Sequence, residues 1–439
     1  MNSPTSIPAA KLKLSFRLSK PLLIEGRREW MFLIFSALVI LIFSLFYRYY
    51  EYTKFTSQKK IYLNADVLLH YSKRKGSKHY NVLKLQTQDG MVFYTTAKNR
   101  DDNLRGRMVR LVLFPSRLKF KDFLTTPYIP SYIVHLLKST SFRMQFFEEI
   151  KKQHNDPWIN EFYGALFLAL PISKSLRKAV TRLGINHLLA LSGFHMGFLW
   201  LIVYFSLSVI YKPLQQRFFP YRHRLLDLGV ITILLLGAYL LFVGTPPSLL
   251  RAYVMVVVGW LALLSGIELL SFTFLAVCVI WLIALFPGLF FSIGFWLSVS
   301  GVFYIYLFLH YTKSWSKWSI FIVLNLWVYL MMLPIVHTFF GLFSLYQLSS
   351  IALTLAFSIF YPLTIIMHIL GIGGWFDGLI LNLFSLPKPQ SEVYVLTPLW
   401  FLAGFIILSL FAVRWRKVLY IQIIIAFVWF IFLVQKAYA

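Results

Sequence analysis

The chain has 439 residues, of which 59% are hydrophobic, 18% are aromatic and only 13% are charged. Soluble domains carry about 25% charged residues and less than half apolar ones, so this composition excludes an ordinary soluble protein. The 43 Lys and Arg residues outnumber the 16 Asp and Glu residues, which gives a net charge of +27. Basic loops that fix membrane topology account for part of this excess, and the rest indicates a polyanionic partner or anionic lipid.

The N-terminal segment, residues 1–29, is basic and leads into an apolar run at 30–47. A run of about 18 apolar residues is long enough to cross a membrane, and no small-residue cleavage site closes it. The pattern predicts a retained first transmembrane helix with its N-terminus in the cytoplasm. The single cysteine, Cys278, lies in a later apolar run, so the sequence has no disulfide framework and no cysteine-based metal site.

Residues 48–130 change composition sharply, with 17 Lys and Arg residues against 6 Asp and Glu residues. Four short segments alternate apolar and polar residues, at 62–71, 80–86, 91–96 and 107–114, and turn-forming residues separate them. This spacing predicts a small antiparallel β domain of four or five strands, such as an OB-like barrel. With the N-terminus in the cytoplasm, the domain is expected in the periplasm.

Basic and aromatic side chains alternate in this β domain. Single-strand binders combine a basic groove with aromatic rings on which bases stack. At least half of the rings are expected to fill the barrel core instead, and the basic hairpin tip also suits anionic headgroups. The basic candidates are Lys73, Arg74, Lys75 and Lys78 at the predicted hairpin tip, then Arg105, Arg107 and Arg110, and the rings are Tyr62, Tyr71, Tyr80, Phe93 and Tyr94.

Residues 131–180 form a mixed connector, in which a basic amphipathic stretch at 132–152 precedes an apolar segment at 158–170 that is too short for a full span. From residue 181 to residue 439 the chain is almost continuously apolar. The predicted fold is therefore a polytopic α-helical membrane protein of about 9–11 transmembrane helices with the small N-terminal β domain. Its predicted spans are 30–47, 187–210, 225–243, 249–266, 269–286, 290–310, 318–339, 345–369, 393–412 and 418–435, with a broken helix at 373–386.

Three patches in the multi-span region are not generic. They are His187-Leu188-Leu189-Ala190-Leu191-Ser192-Gly193-Phe194-His195, Pro247-Ser248-Leu249-Leu250-Arg251-Ala252 and Gly294-Phe295-Trp296-Leu297-Ser298. In this order and spacing they resemble the ComEC competence family, whose patterns read H-L-L-A-I-S-G-L-H, P-S-x-x-R-A and G-F-Q-L-S. Trp296 stands where that family usually carries glutamine, and the asparagine expected near Ser349 is absent.

The resemblance covers about residues 160–370. It implies an inner-membrane channel that passes single-stranded DNA into the cytoplasm during natural transformation, with an OB-like domain where the basic β domain lies. Many family members continue into a metallo-β-lactamase-like domain that is thought to degrade the other strand. This chain ends soon after its last apolar span and has no H-x-H-x-D-H motif, so we expect a separate nuclease. No enzymatic activity, cofactor or metal site is expected for the chain itself.

His187, Ser192 and His195 are polar residues inside one predicted span, and Ser192 and His195 share a helix face. Gly193 and Gly197 form a G-x-x-x-G pair that lets another helix approach closely. These groups either line a path for an anionic polymer or make interhelical hydrogen bonds that fix the packing. Two histidines without a third ligand are a poor zinc site, and Ser192 lacks the strand-turn-helix context of a serine hydrolase.

Arg251 follows two prolines in the second patch. Ser248 is expected to cap the next helix, which places Arg251 near a helix N-terminus, where a positive charge is unfavourable unless an anion binds there. The alternatives are that Arg251 pairs with Glu268 or Asp227, or that it extends to the membrane interface. The candidate pore residues are therefore His187, Ser192, Gly193, His195, Arg251 and Ser298.

The expected partners are those that a DNA channel without its own motor would need. The chain has no P-loop pattern, so a cytoplasmic helicase, another translocase motor or single-strand-binding proteins must pull the DNA strand. A periplasmic DNA-receptor protein and the separate nuclease complete the set, and the sequence leaves monomer and homodimer open. Two other classes also stay open: a transporter of a small or lipid-linked anionic substrate, and a membrane-embedded hydrolase that uses His187, Ser192 and His195.

Overall fold

The computed structural model describes Ile24 and residues 26–75, 78–97, 104–139, 141–387 and 392–438, so most of the predicted basic N-terminus, 1–29, lies outside the described residues. The helices are α1 (Arg27–Thr56), α2 (Phe120–Phe123), α3 (Phe142–Lys151), α4 (Pro157–Leu168), α5 (Lys174–Arg182), α6 (Asn186–Leu189), α7 (Gly193–Phe218), α8 (Arg224–Phe242), α9 (Pro247–Leu264), α10 (Phe272–Leu285), α11 (Ile293–Tyr311), α12 (Lys317–Phe339), α13 (Ser349–Ile369), α14 (Asp377–Phe384), α15 (Leu399–Ala412) and α16 (Arg416–Tyr438). The strands are β1 (Ile61–Lys75), β2 (Lys78–Thr87), β3 (Val92–Ala97), β4 (Arg107–Leu113), β5 (Ser131–Lys138), β6 (Leu342–Phe343) and β7 (Val393–Tyr394).

In the described part of the chain, 8 helices have the length and apolar composition that a membrane crossing requires. They are α1, α7, α8, α9, α11, α12, α13 with the turn that precedes it, and α16. The apolar helices α10 and α15 are shorter, with 14 residues each. Large apolar side chains such as Phe32, Phe43 and Phe205 stay exposed on these helices, which suits contact with lipid. The prediction of a polytopic α-helical membrane protein with a small N-terminal β domain is thereby confirmed.

The predicted span 187–210 is not one continuous helix. Helix α6 ends and helix α7 begins on either side of Ser192, which is extended, with φ −131° and ψ −179°. Ser192 is the N-cap of α7, a position that serine favours because its side chain can bond a free backbone group of the first turn. The prediction that His187, Ser192 and His195 lie in one helix is therefore wrong, and only His195 belongs to α7.

The β domain is one five-stranded antiparallel sheet with the strand order β3-β2-β1-β4-β5. Its first four strands lie at the segments where alternating polarity predicts strands. The core is formed by buried apolar residues on the inner face, among them Val67, Leu83, Phe93 and Leu111. Because side chains alternate between the two faces of a strand, the polar residues between these positions point outward.

The two edge strands approach each other without forming the predicted closed barrel. A single parallel bridge joins Tyr94 on β3 to Tyr128, and the hydroxyl oxygens of Thr95 and Ser131 lie 2.7 Å apart. Tyr128 and its neighbour stand between two prolines, in the segment Pro-Tyr-Ile-Pro. Since proline has no N–H to donate, the ladder does not extend beyond this bridge. The domain is thus a curled open sheet.

The fifth strand lies beyond the predicted domain boundary at residue 130. Residues 131–138 pair with β4 instead of joining a helical amphipathic stretch. A short edge strand with one exposed face can be mistaken for an amphipathic helix, because few residues are available to separate the two periods. Within the predicted amphipathic stretch, 132–152, the helical part is α3, and the short apolar segment predicted after it contains α4.

Arg143 on α3 joins the β domain to the helical region. Its buried guanidinium donates from Nε to the carbonyl of Leu168 at 2.8 Å, from Nη1 to Oε1 of Gln86 at 2.8 Å and from Nη2 to the carbonyl of Ala169 at 3.1 Å. The last carbonyls of a helix have no partner within the helix, so Arg143 satisfies the end of α4. Burial lowers the pKa of Arg143 to about 10, which leaves the side chain charged at neutral pH. These charge-assisted bonds fix the β domain to the connector.

Candidate functional site

The three sequence patches come together in the folded chain. Arg251 on α9 donates from Nε to Oγ of Ser298 on α11, at 3.0 Å. Its Nη2 lies 3.3 Å from the point that a Cβ would occupy on Gly193, at the start of α7. A side chain at Gly193 would therefore press on the guanidinium. Segments that are far apart in the sequence thus converge on one buried arginine.

Arg251 is buried, with only 2% of its surface exposed. Its other side-chain bond runs from Nη1 to Sδ of Met255 at 2.8 Å, and no ion pair to Arg251 occurs among the described residues. Asp227 is engaged by Arg222, at 2.6 Å, so the expected alternative of an Arg251–Asp227 pair is wrong. A buried charge without a partner is costly, and the arginine is therefore suited to receive an anion.

Ser248 does not cap α9 as the sequence suggests. The N-cap position belongs to Pro246, with Pro247 as the first helical residue. The hydroxyl of Ser248 instead donates to the carbonyl of Leu191 at 2.6 Å. This bond ties the start of α9 to the extended segment before α7, and so it holds Arg251 next to the first turn of α7.

Ser192 and His195 form the cap of α7. The Ser192 backbone N–H donates to Nδ1 of His195 at 3.2 Å, and Oγ of Ser192 lies 3.1 Å from the same nitrogen. The His195 side chain is fully buried, with its ring edge-on to Tyr361 of α13 at 4.7 Å. Nε2 of His195 has no partner among the described residues. The pair caps α7, and the ring packs α7 against α13 beside the Arg251 contact.

His187 on α6 bonds to a different set of partners from Arg251. Its Nδ1 is 3.1 Å from the carbonyl of Gly184, and its Nε2 is 3.0 Å from Oγ1 of Thr354 on α13. The six candidate pore residues therefore divide by location. Gly193, Arg251 and Ser298 meet in one contact, Ser192 and His195 form the adjacent helix cap, and His187 attaches α6 to α13.

The basic candidates of the β domain differ in their exposure to solvent. Lys73, Arg74, Arg107 and Arg110 are exposed on the sheet, as a polyanion-binding surface requires. Arg105 is not, because its Nη1 pairs with Oε1 of Glu161 at 2.9 Å and its Nη2 donates to the carbonyl of Pro171 at 3.0 Å. It fastens the loop before β4 to the connector. The side chains of Lys75 and Lys78 lie outside the described residues.

The aromatic candidates are mostly outside the core, contrary to the expectation that at least half would fill it. Phe93 is fully buried, whereas Tyr71, Tyr80 and Tyr94 are half-buried and Tyr62 is 67% exposed. The domain core is filled mainly by aliphatic side chains together with Phe93, and the other rings lie outside it.

Sequence reasoning missed a partly buried cluster that joins the connector to the far end of α13. Nδ1 of His154 lies 2.9 Å from Oδ2 of Asp377, and its Nε2 lies 3.0 Å from Nε2 of His368. Nδ1 of His368 lies 2.7 Å from the carbonyl of Thr364, which can only accept, so Nε2 of His368 accepts from His154. The contact between His154 and Asp377 joins the connector to the start of α14. More than 200 residues separate them, and no local pattern predicts their contact.

The fold and this site define a class: a multi-pass helical membrane protein with a small β domain and a buried, unpaired arginine between three helices. Among the described residues no group of three or more His, Cys, Asp or Glu side chains is arranged so that it could hold a metal ion. The family model described as "Competence protein" matches residues 171–438. The chain belongs to this competence protein family, of the ComEC type, and it acts in DNA uptake during competence through a channel-type domain. No curated protein and no solved structure shows significant similarity to the chain.

Proposed function

We propose that this protein is an inner-membrane channel that carries single-stranded DNA into the cytoplasm during natural transformation. The observation that carries the proposal is that Gly193 and Ser298 both lie against the buried Arg251 within a competence-family domain. Arg251 has no ion pair among the described residues. A phosphodiester chain that crosses a membrane must exchange water for protein groups at every phosphate. A buried arginine beside the positive end of α7, whose nitrogens are bonded within the described residues only to a hydroxyl and a thioether, supplies such a group.

Loop charges support one orientation. Basic clusters lie where α7 meets α8, where α11 meets α12 and where α15 meets α16. They contain Lys212, Arg217, Arg222 and Arg224, then Lys313 and Lys317, then Arg414, Arg416 and Lys417. The positive-inside rule assigns these three clusters to the cytoplasm. The α8–α9 turn then faces the periplasm, and its Gly244 lies against Gln86 of the β domain, where a Cβ would be 3.0 Å from Nε2. The β domain is therefore assigned to the periplasm as well.

In this proposal the chain moves a strand without chemistry of its own. Capture and passage need only fixed charges and rings, so the energy comes from outside the chain. The partners are a periplasmic DNA-receptor protein that delivers the duplex and a separate nuclease that removes one strand. A cytoplasmic helicase, another translocase motor or single-strand-binding proteins draw the other strand inward. The chain works as a monomer or a homodimer.

The test is the uptake of fluorescent double-stranded DNA in a clean deletion strain, scored by compartment. We expect DNA to accumulate in the periplasm and never to reach the cytoplasm. The Arg251→Ala variant should reproduce this arrest at normal protein levels. Labelled DNA in the cytoplasm of the deletion strain, with normal transformant numbers, would instead favour a transporter of a small or lipid-linked anionic substrate.

A further inference from the structure

A second basic surface lies between the β domain and α5, away from the predicted hairpin tip. We propose that it is a groove for the sugar-phosphate backbone and bases of single-stranded DNA on its way to Arg251. The groove consists of Tyr71, Lys84 and Tyr94 on the outer face of the sheet and of Lys174 and Arg177 on α5. The inference rests on the proposed function, because it names where the transported strand is held.

Strand register puts the sheet side of the groove on one face. Lys84 on β2 pairs with Leu69 on β1 and with Tyr94 on β3, so the three side chains project from the same face. Tyr71 follows Leu69 by two residues and shares this face. The opposite face carries the domain core. The groove therefore uses the outer surface of the sheet, opposite the face that holds the fold together.

Basic side chains from the sheet and from α5 lie over the rings of Tyr94 and Tyr71. Nζ of Lys84 lies 5.8 Å from the ring centre of Tyr94, and Nζ of Lys174 lies 5.0 Å from the ring centre of Tyr71. The second contact crosses from α5 to β1. Tyr71, Lys84 and Tyr94 are half-buried, while Lys174 and Arg177 are exposed. The surface thus has cations and rings within a few ångströms of each other, as single-strand binders do.

The cations of the groove have no acidic partners among the described residues. No ion pair to Lys84, Lys174 or Arg177 occurs within the part of the chain that the structure describes. Burial lowers the pKa of Lys84, and the positive charges of Arg177 and Arg143 lower it further. Surrounding a half-buried lysine with like charges is unfavourable in the empty protein. A bound phosphate would remove this repulsion, which favours an anionic ligand.

The position of the groove favours a continuous strand over an isolated headgroup. Gln86 follows Lys84 by two residues on the same face, and it contacts both Arg143 and Gly244 of the α8–α9 turn. Helix α9, which carries Arg251, begins three residues after Gly244. A strand that leaves the groove along β2 therefore arrives at the helix that holds the buried arginine. The rings beside the charges can stack with nucleic-acid bases, whereas a phospholipid headgroup has no aromatic group to stack on them.

The experiment measures binding of a fluorescent oligothymidylate to the full-length protein in detergent, by anisotropy over a salt series. The test variant is Lys174→Gln with Arg177→Gln, both exposed positions. The matched control is Lys119→Gln with Arg117→Gln, two exposed basic residues of the β domain near α1. We expect the test variant to bind at least about fivefold more weakly and its salt slope to fall by about 0.7 for each phosphate that is no longer neutralised, while the control binds like the wild type.

A second measurement does not depend on substitutions. An oligonucleotide that carries 5-iodouracil should photo-crosslink to Tyr71 or Tyr94, and peptide mapping identifies the residue. Equal binding by test and control variants, or crosslinks confined to other residues, would overturn the groove while the import arrest of the deletion strain still supports the channel. Loss of oligothymidylate binding on adding phosphatidylglycerol vesicles, with no crosslink to either tyrosine, would show a lipid-binding surface and also overturn it.

Discussion

Arg251 and Ser298 form the contact that unites the competence-family patches, with Nε of the arginine 3.0 Å from Oγ of the serine. The hydroxyl orients the guanidinium but brings no negative charge. Met255, the other partner, is a weak acceptor. A structural arginine in such a place would normally have a carboxylate or several carbonyls, as Arg143 does. The contrast between the two buried arginines agrees with the proposal that Arg251 binds an anionic ligand.

The first prediction separates a functional from a structural Arg251. Arg251→Met keeps much of the side-chain volume and removes the unpaired charge, so the melting temperature in detergent should stay equal or rise. DNA import should fall by at least about a hundredfold, because removing one charge-assisted hydrogen bond to a phosphate inside a dry path costs about 3 kcal/mol. Transformant counts and thermal melting are the two measurements.

Ser298→Ala is the matched control, since it removes only the orienting hydroxyl. It should reduce import by less than Arg251→Met does. A large drop in the melting temperature of Arg251→Met would contradict the prediction and identify the arginine as a packing element.

The second prediction concerns Lys84, whose charge is unfavourable in the empty protein. Lys84→Met keeps the apolar stem and removes the charge, so the variant should be more stable by about 1 kcal/mol, while its affinity for single-stranded DNA should fall. Because folding lowers the pKa of Lys84 from 10.5, the cost of the charge is constant at neutral pH. It disappears as pH rises through the folded pKa towards 10.5 and the folded protein releases the proton.

The measurement is thermal melting of both proteins at neutral and alkaline pH. The stability difference should be full at pH 7 and should shrink at alkaline pH. A variant that is less stable than the wild type at pH 7 would show that Lys84 packs favourably and that its charge is not under strain.

The third prediction tests the joint between the two parts of the molecule. Arg143→Lys retains the charge but cannot reach Gln86 and the carbonyls of Leu168 and Ala169 together, because lysine lacks the planar fork of arginine. Leaving buried acceptors without donors should cost about 2–4 kcal/mol. Limited proteolysis should then cut the connector around α3 faster than in the wild type. Arg117→Lys, at an exposed position, serves as the control, and equal cleavage rates in both variants would contradict the assigned role.

The fourth prediction concerns the contact between buried His154 and partly exposed Asp377. Asp377→Ala and His154→Ala should each lower stability by about 1–3 kcal/mol, because each leaves the other group without its hydrogen-bond partner. The double variant should be less destabilised than the sum, with a coupling energy of about 1 kcal/mol or more. Denaturation in detergent of the four proteins completes the cycle. Simple additivity would mean that the two side chains do not interact.

Much of the architecture was predictable from local patterns. Apolar runs longer than a membrane is thick predict spanning helices whatever their neighbours are, and eight described helices fit that criterion. Strands β1–β4 were predictable from alternation between turn residues. β5 and the missing barrel closure were not. A short edge strand has a weak period, and the closing ladder depends on how Tyr128, which lies between Pro127 and Pro130, meets β3.

The candidate site also has features that the sequence predicts and features that only the structure shows. The family patches, the excess of positive charge and the candidate residues Gly193, Arg251 and Ser298 were accessible before folding was considered, since they are properties of order and composition. The tertiary structure was needed to show that Arg251 has no ion pair among the described residues and that Arg105 forms an ion pair with Glu161. It was also needed to show which basic residues face α5. Electrostatic partners are chosen by distance through space, and in a bundle of helices that distance bears little relation to separation along the chain.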